Sequence, residues 1–138
     1  MAPFKTQELR IEITPEDIHG PHVNLARFFA FINQTFQVWY KAFGTSVPPE
    51  YPAYGNMMVH LSYDFLREVD YPGAVLVKLR VSGVGRSSMQ HAIEIYDVSE
   101  GSEPQLAGRG RSVHVWVNRT VGKGEAWPPA LLAKCWSP

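Results

Sequence analysis

One change of hydrophobic period limits what this chain can become. Between residues 25 and 43, Leu25, Phe28, Phe29, Ile32, Phe36, Trp39, Tyr40 and Phe43 recur at helical spacing. Ala26, Ala30, Phe31 and Val38 leave little of the circumference polar. The spacing predicts a helix over 25–43, roughly 28 Å long at about 1.5 Å per residue, and buried nearly all round. Asn24 is placed to cap its start and Gly44 to stop it. From residue 57 onward the period is two. Met57, Val59, Leu61, Tyr63 and Phe65 alternate with His60, Ser62 and Asp64. Val75, Val77, Leu79 and Val81 follow, then Met89, His91, Ile93 and Ile95, then Val113, Val115 and Val117 with His114 and Trp116 between them.

The connections "YPG" (71–73), "GVGRSS" (83–88) and "SEGSEP" (99–104) have the length and residue types of turns, so successive strands should pair antiparallel. Ahead of the helix, "ELRIEI" (8–13) alternates strictly, with Leu9, Ile11 and Ile13 on one side, and Pro15 ends it. The three prolines of "TSVPPEYPAYGN" (45–56) mark a loop, and "WPPALLAKCW" allows one short proline-led helical turn at the end. The order is strand, long helix, four strands. An α+β domain results, an antiparallel sheet of about five strands wrapped around one central helix. No repeat or break in composition divides the chain, so residues 1–138 read as one domain.

Lys plus Arg equals Asp plus Glu at 13 each, a balance that argues against nucleic acid and anionic membrane surfaces as partners. The single cysteine, Cys135, excludes an internal disulfide, and no cysteine–histidine spacing suits a metal. No membrane span and no secretory leader are legible, so a cytoplasmic protein is expected.

Three segments carry a family resemblance. "HVNLARFF" (22–29) resembles the "HVNNARYL" segment of hotdog-fold acyl-CoA thioesterases of the 4-hydroxybenzoyl-CoA thioesterase type. "GVGRSSMQHAIEIYD" (83–97) resembles their glycine–arginine/serine turn and following strand. "LAGRGRSVHVWVNRTVGKGEAWPPALL" (106–132) is similar to their last strand, closing turn and tail. The resemblance spans nearly the whole chain and implies the hotdog fold. It departs at one point. The family's catalytic aspartate stands four positions before the histidine, with glycine directly before that histidine. Here Pro21 separates Gly20 from His22. A one-residue insertion at Pro21 puts Asp17 at the acid position and keeps the Asp17–Gly20 spacing, which is the preferred reading. Without it Ile18 falls there.

Thioester hydrolysis needs a carboxylate to attack or to activate water, and a fixed dipole for the oxyanion. The unpartnered amides of a helix start supply the dipole. The resemblance implies Asp17 as nucleophile or general base, and His22 and Asn24 as groups that orient substrate or water. It implies Gly20 and His19 beside the substrate, and Arg86, Ser87 and Ser88 near the coenzyme A arm, where charge and N–H groups can hold phosphate. Coenzyme A enters as part of the substrate; no cofactor or metal is implied. Asp and His before a helix are also common as caps and turns. Glu16 reads as a solvated turn acid, Arg109 and Arg111 as water-facing, and His60 and His114 as lying on the polar faces of their strands.

Two other functions fit the same residues: a hotdog 2-enoyl-CoA hydratase or dehydratase using an Asp17–His22 dyad, and a non-catalytic acyl-binding protein. The sheet would leave an edge strand that needs cover. A homodimer or homotetramer with sites at the subunit interface is therefore expected.

Overall fold

The computed structural model describes residues 6–43, 54–99, 101 and 103–133. In chain order the elements are β1 (Thr6–Glu12), a single 3-10 turn (Pro15–Asp17), β2 (Ile18–His19), β3 (His22–Val23) and α1 (Leu25–Phe43). β4 (Tyr54–Phe65), β5 (Ala74–Val84), β6 (Ser88–Asp97), β7 (Gln105–Asn118), β8 (Lys123–Gly124) and α2 (Pro129–Leu132) follow. The five long strands form one antiparallel sheet in the order β1-β5-β6-β7-β4, and the two residues of β8 pair with β7. This is the sheet-and-helix architecture that the periodicity and the resemblance predict.

α1 lies on one face of the sheet. Phe28, Phe31, Ile32, Phe36 and Trp39 form the buried stripe of the helix and pack with Ile11, Val77, Leu79, Ile93 and Ile95. Each fully buried side chain of this size contributes roughly 1.5–3 kcal/mol, so this layer holds helix and sheet together. β1, β5 and β6 keep the expected phase: Ile11, Val75, Val77, Leu79, Val81, Met89, His91, Ile93 and Ile95 all point inward.

Three expectations are corrected. α1 is buried along a stripe, not nearly all round; in this chain alone Leu25 is 62% and Phe29 39% exposed. β4 loses its phase at a bulge between Met58 and His60. Leu61 and Tyr63 turn inward as expected, whereas Met57, Val59 and Phe65 are exposed on the edge strand. β7 is inverted: His114 and Trp116 are the buried residues, and Val113, Val115 and Val117 are half-buried on the other face. Trp116 is drawn inward by Trp127, whose ring centroid is 5.4 Å away.

β7 also runs from Gln105, well before the expected start at 113. Its glycines look like turn residues in sequence, yet a side chain at Gly110 would strike the Ser62 carbonyl on β4. Glycine here permits close strand pairing. β4 likewise takes in residues 54–56 of the expected loop. Gly44, the remainder of that loop, the side chain of Phe43 and Cys135 lie outside the described residues.

Candidate active site at the start of helix α1

The segment before α1 folds into a hairpin too short for periodicity to reveal. β2 and β3 pair Ile18 with Val23 and His19 with His22 across a two-residue turn, Gly20–Pro21. Gly20 has φ 67°, a left-handed conformation that glycine adopts without strain. Pro21, the residue that breaks the family spacing, is the second residue of this turn. The hairpin is tied to the segment after β4: the Val23 N–H donates to the Val69 carbonyl at 2.9 Å, and His22 forms a β-bridge with Asp70.

Between hairpin, helix start and the end of β4 lies a cleft of about 660 Å³. Its polar lining is His19, His22, Asn24, Arg67 and Glu68; Val23, Leu25, Phe28, Phe65 and Leu66 complete it. Apolar walls with a few convergent polar groups are the usual character of a small-molecule site. Asn24 caps α1, its Oδ1 accepting the Ala26 N–H at 3.0 Å. The Asn24 N–H itself donates to the Asp17 carbonyl at 2.8 Å.

Asp17 takes a different place. It is 3% exposed and is not among the residues that line the cleft. Its Oδ1 accepts from Arg27 Nε at 2.7 Å, and its Oδ2 accepts from the Thr14 N–H at 2.8 Å and from Thr14 Oγ1 at 3.2 Å. The carboxylate therefore braces the 3-10 turn against the first turn of α1. Asp17 and His22 do not meet as a dyad, because each has other partners.

His22 sits between two acids. Its Nδ1 is 2.6 Å from Asp70 Oδ1 and its Nε2 is 2.9 Å from Glu68 Oε2. Asp70 thereby fixes the ring plane, and Glu68 meets the nitrogen on the other side.

The turn at 86–88 is at the other end of the sheet. Ser88 pairs with Val115, whose β4 partner is Met57, whereas the cleft adjoins Phe65, which pairs with Gly108. The turn is held by backbone: Trp116 N–H to Ser87 O at 2.8 Å, Trp127 N–H to Arg86 O at 3.0 Å and Trp127 Nε1 to Ser88 O at 3.1 Å. Within one chain it does not reach the cleft. Arg109, Arg111 and His60 are exposed, and His114 is not on a polar face but fully buried.

His114 belongs to a second polar group, under the C-terminal half of α1. Its Nε2 is 2.8 Å from Tyr40 Oη, and its ring centroid is 5.5 Å from that of His91. His91 Nδ1 and Nε2, His114 Nδ1 and Ser112 Oγ are buried with no hydrogen-bond partner among the described residues. Burial pushes the His91 imidazole down to about 3, with the neighbouring His114 adding to the effect, and burial alone pushes His114 down to about 4. Burial also raises the Tyr40 hydroxyl to about 12.

Residues 13–135 match the family model of the thioesterase-like superfamily. The chain belongs to that superfamily. Solved structures agree in fold. A 1,4-dihydroxy-2-naphthoyl-CoA thioesterase from Synechocystis is 18% identical with a TM-score of 0.81, covering 95% of this chain and 96% of its own. A Staphylococcus aureus protein solved in complex with CoA is 15% identical with a TM-score of 0.84, covering 97% and 84%. A 4-hydroxybenzoyl-CoA thioesterase mutant bound to 4-hydroxybenzoyl-CoA is 14% identical with a TM-score of 0.78, covering 94% and 98%. No curated protein matches the sequence significantly.

Relative to this fold, the sequence reading missed Arg27, Glu68 and Asp70. Arg27 lies within the quoted "HVNLARFF" segment, ten residues after its partner Asp17, a spacing that signals nothing before the 3-10 turn is seen. Asp70 is 48 residues from His22, and only the tertiary fold joins them.

Proposed function

We propose that this superfamily member hydrolyses an acyl-CoA or acyl-carrier-protein thioester by carboxylate catalysis, with the thioester carbonyl over the start of α1. The observation that carries the reading is the cleft: an apolar wall, two histidines and a helix start meet in one place. The helix start offers positive dipole to the developing oxyanion. Leu25, the first residue of α1, lines the cleft, and in this reading its N–H donates to that oxygen. His19 and Gly20 flank the substrate from the hairpin, Asn24 orients it, and His22, whose two ring nitrogens meet Glu68 and Asp70, orients those acids. Asp17 positions this apparatus through Arg27 and the Asn24 amide rather than touching substrate. The CoA-bound relatives support a coenzyme A thioester as the substrate class.

A second copy completes the site in this reading, in a cytoplasmic homodimer or homotetramer of a single hotdog domain over residues 1–138. β4 is an edge strand with Met57, Met58 and Val59 exposed, a surface that calls for a partner. Antiparallel pairing of two β4 edges reverses one sheet relative to the other. The Arg86–Ser88 turn of one copy then lies at the end of the sheet where the other copy has its cleft, in reach of the coenzyme A arm.

Thiol release from a panel of acyl-CoAs tests the reading, with light scattering for the assembly. Saturable release from at least one panel member, by a dimer or tetramer, is expected. Tight acyl-CoA binding with no release across the panel would make the chain a binding protein instead. Loss of crotonyl-CoA absorbance without thiol release would make it a hydratase.

A further inference from the structure

The geometry points to Glu68 as the carboxylate base of the reaction proposed above, on which this inference rests. Thioester hydrolysis in this cleft needs a carboxylate that can meet water. Asp17 is turned inward, with its oxygens held by Thr14 and Arg27. Asp70 is engaged behind the His22 ring. Among the described residues that line the cleft, Glu68 is the one carboxylate.

Glu68 is exposed, yet its backbone is pinned. Just before it, the Leu66 and Arg67 N–H groups donate to the Ala107 carbonyl at 2.9 and 3.1 Å. Just after it, Val69 is buried and accepts from the Val23 N–H on the hairpin. Its side chain is aimed by His22, whose Nε2 is 2.9 Å from Glu68 Oε2. Asp70 in turn holds His22 Nδ1 at 2.6 Å. The line Asp70–His22–Glu68 thus holds a carboxylate on the wall of the cleft that the start of α1 also lines, so Asp70 and His22 are positioning residues for it.

The step balances with water alone. Glu68 takes a proton from water as the water oxygen bonds to the thioester carbon, and the carbonyl electron pair moves to its oxygen, facing the helix start. The tetrahedral adduct then collapses, the carbon–sulfur bond breaks, and Glu68 delivers the proton to the leaving sulfur. Water has been split between acid and thiol, and Glu68 ends as it began.

The test compares the full-length wild type with Glu68→Gln, Glu68→Asp and Asp70→Asn on the best panel substrate, with the melting temperature of each. Glu68 is 71% exposed in its side chain, so the variants should fold as the wild type does. Glu68→Gln is expected to lower kcat about 100-fold or more with KM held within about threefold, the size of a lost general base. Glu68→Asp should recover part of that loss, and Asp70→Asn should lower kcat by about tenfold with KM and melting temperature unchanged. An active wild type with Glu68→Gln within about threefold of it in kcat overturns the Glu68 role and leaves the thioesterase reading standing. A wild type inactive on every acyl-CoA and on acyl-carrier-protein thioesters overturns both.

Discussion

Helix α1 has polar groups at both ends, and the two ends treat the same residue type in opposite ways. At its start His22 is half-exposed and held between Glu68 and Asp70. Toward its end His91 and His114 are 1% and 0% exposed. The rings of Phe36 and Trp39 lie 5.1 and 4.8 Å from that of His91, and His114 has Tyr40. An imidazole between carboxylates has a polar partner for each ring nitrogen; an imidazole buried among aromatic rings is held neutral. The open end is where chemistry can occur, and the closed end is where acid should break the fold.

The largest expected effect follows from the closed end. Both rings have folded pKa values below the ordinary 6.5, about 3 for His91 and about 4 for His114. Below pH 6.5 the unfolded chain therefore takes up protons that the folded chain refuses, and stability falls as pH drops toward 4. The loss is on the order of 3 kcal/mol per ring between pH 7 and pH 4. Denaturant titrations at pH 7, 5.5 and 4 should show it. His91→Met, which keeps the volume without the titrating ring, should shallow that acid limb by about half. An unchanged limb would mean that the buried histidines do not set it.

Next in size is the brace at the open end. Asp17→Asn keeps the shape but removes the charge facing Arg27 and sets an amide against the Thr14 N–H. A buried, multiply bonded carboxylate lost in this way costs roughly 2–4 kcal/mol, read as a lower denaturation midpoint. If the midpoint holds and kcat falls steeply, Asp17 works in the cleft and not as a brace.

The same contrast explains what was legible in the sequence. β1, β5 and β6 could be read residue by residue because their two faces differ sharply: Lys78 and Arg80 against Val77, Leu79 and Val81. β7 could not, because valines line one face and His114 and Trp116 the other, and hydrophobicity alone ranks valine inside. The first half of β4 failed because a bulge resets its phase and because it is an edge. In the site, the short "HVN" segment marked the helix start correctly, since capping is local: Asn24 and Ala26 are two residues apart. Glu68 and Asp70 reach His22 only through the hairpin's attachment to Val69, a long-range contact with no period or spacing of its own.

Asn24→Ala tests that local cap at a smaller scale. Loss of the Oδ1 acceptor for the Ala26 N–H should cost about 1 kcal/mol. A loss of thiol release beyond what this destabilisation explains would place the Asn24 amide beside the substrate as well as on the helix.

The smallest effect tells most about the closed end, because its sign is the readout. Ser112 Oγ is fully buried on the face of β7 that meets α1, in register with His91 across the sheet and without a hydrogen-bond partner among the described residues. A dry hydroxyl in that position carries an uncompensated desolvation cost of roughly 1 kcal/mol or more. Ser112→Ala removes the oxygen and leaves the methyl group in place, so stability should rise by about 0.5–1 kcal/mol. A loss of similar size would mean that an enclosed water links Ser112 to His91, since such a water typically makes about three bonds to buried polar groups and is costly to remove. The closed end would then be wet. His91 would have a partner, and the acid limb should shallow without any change to a histidine.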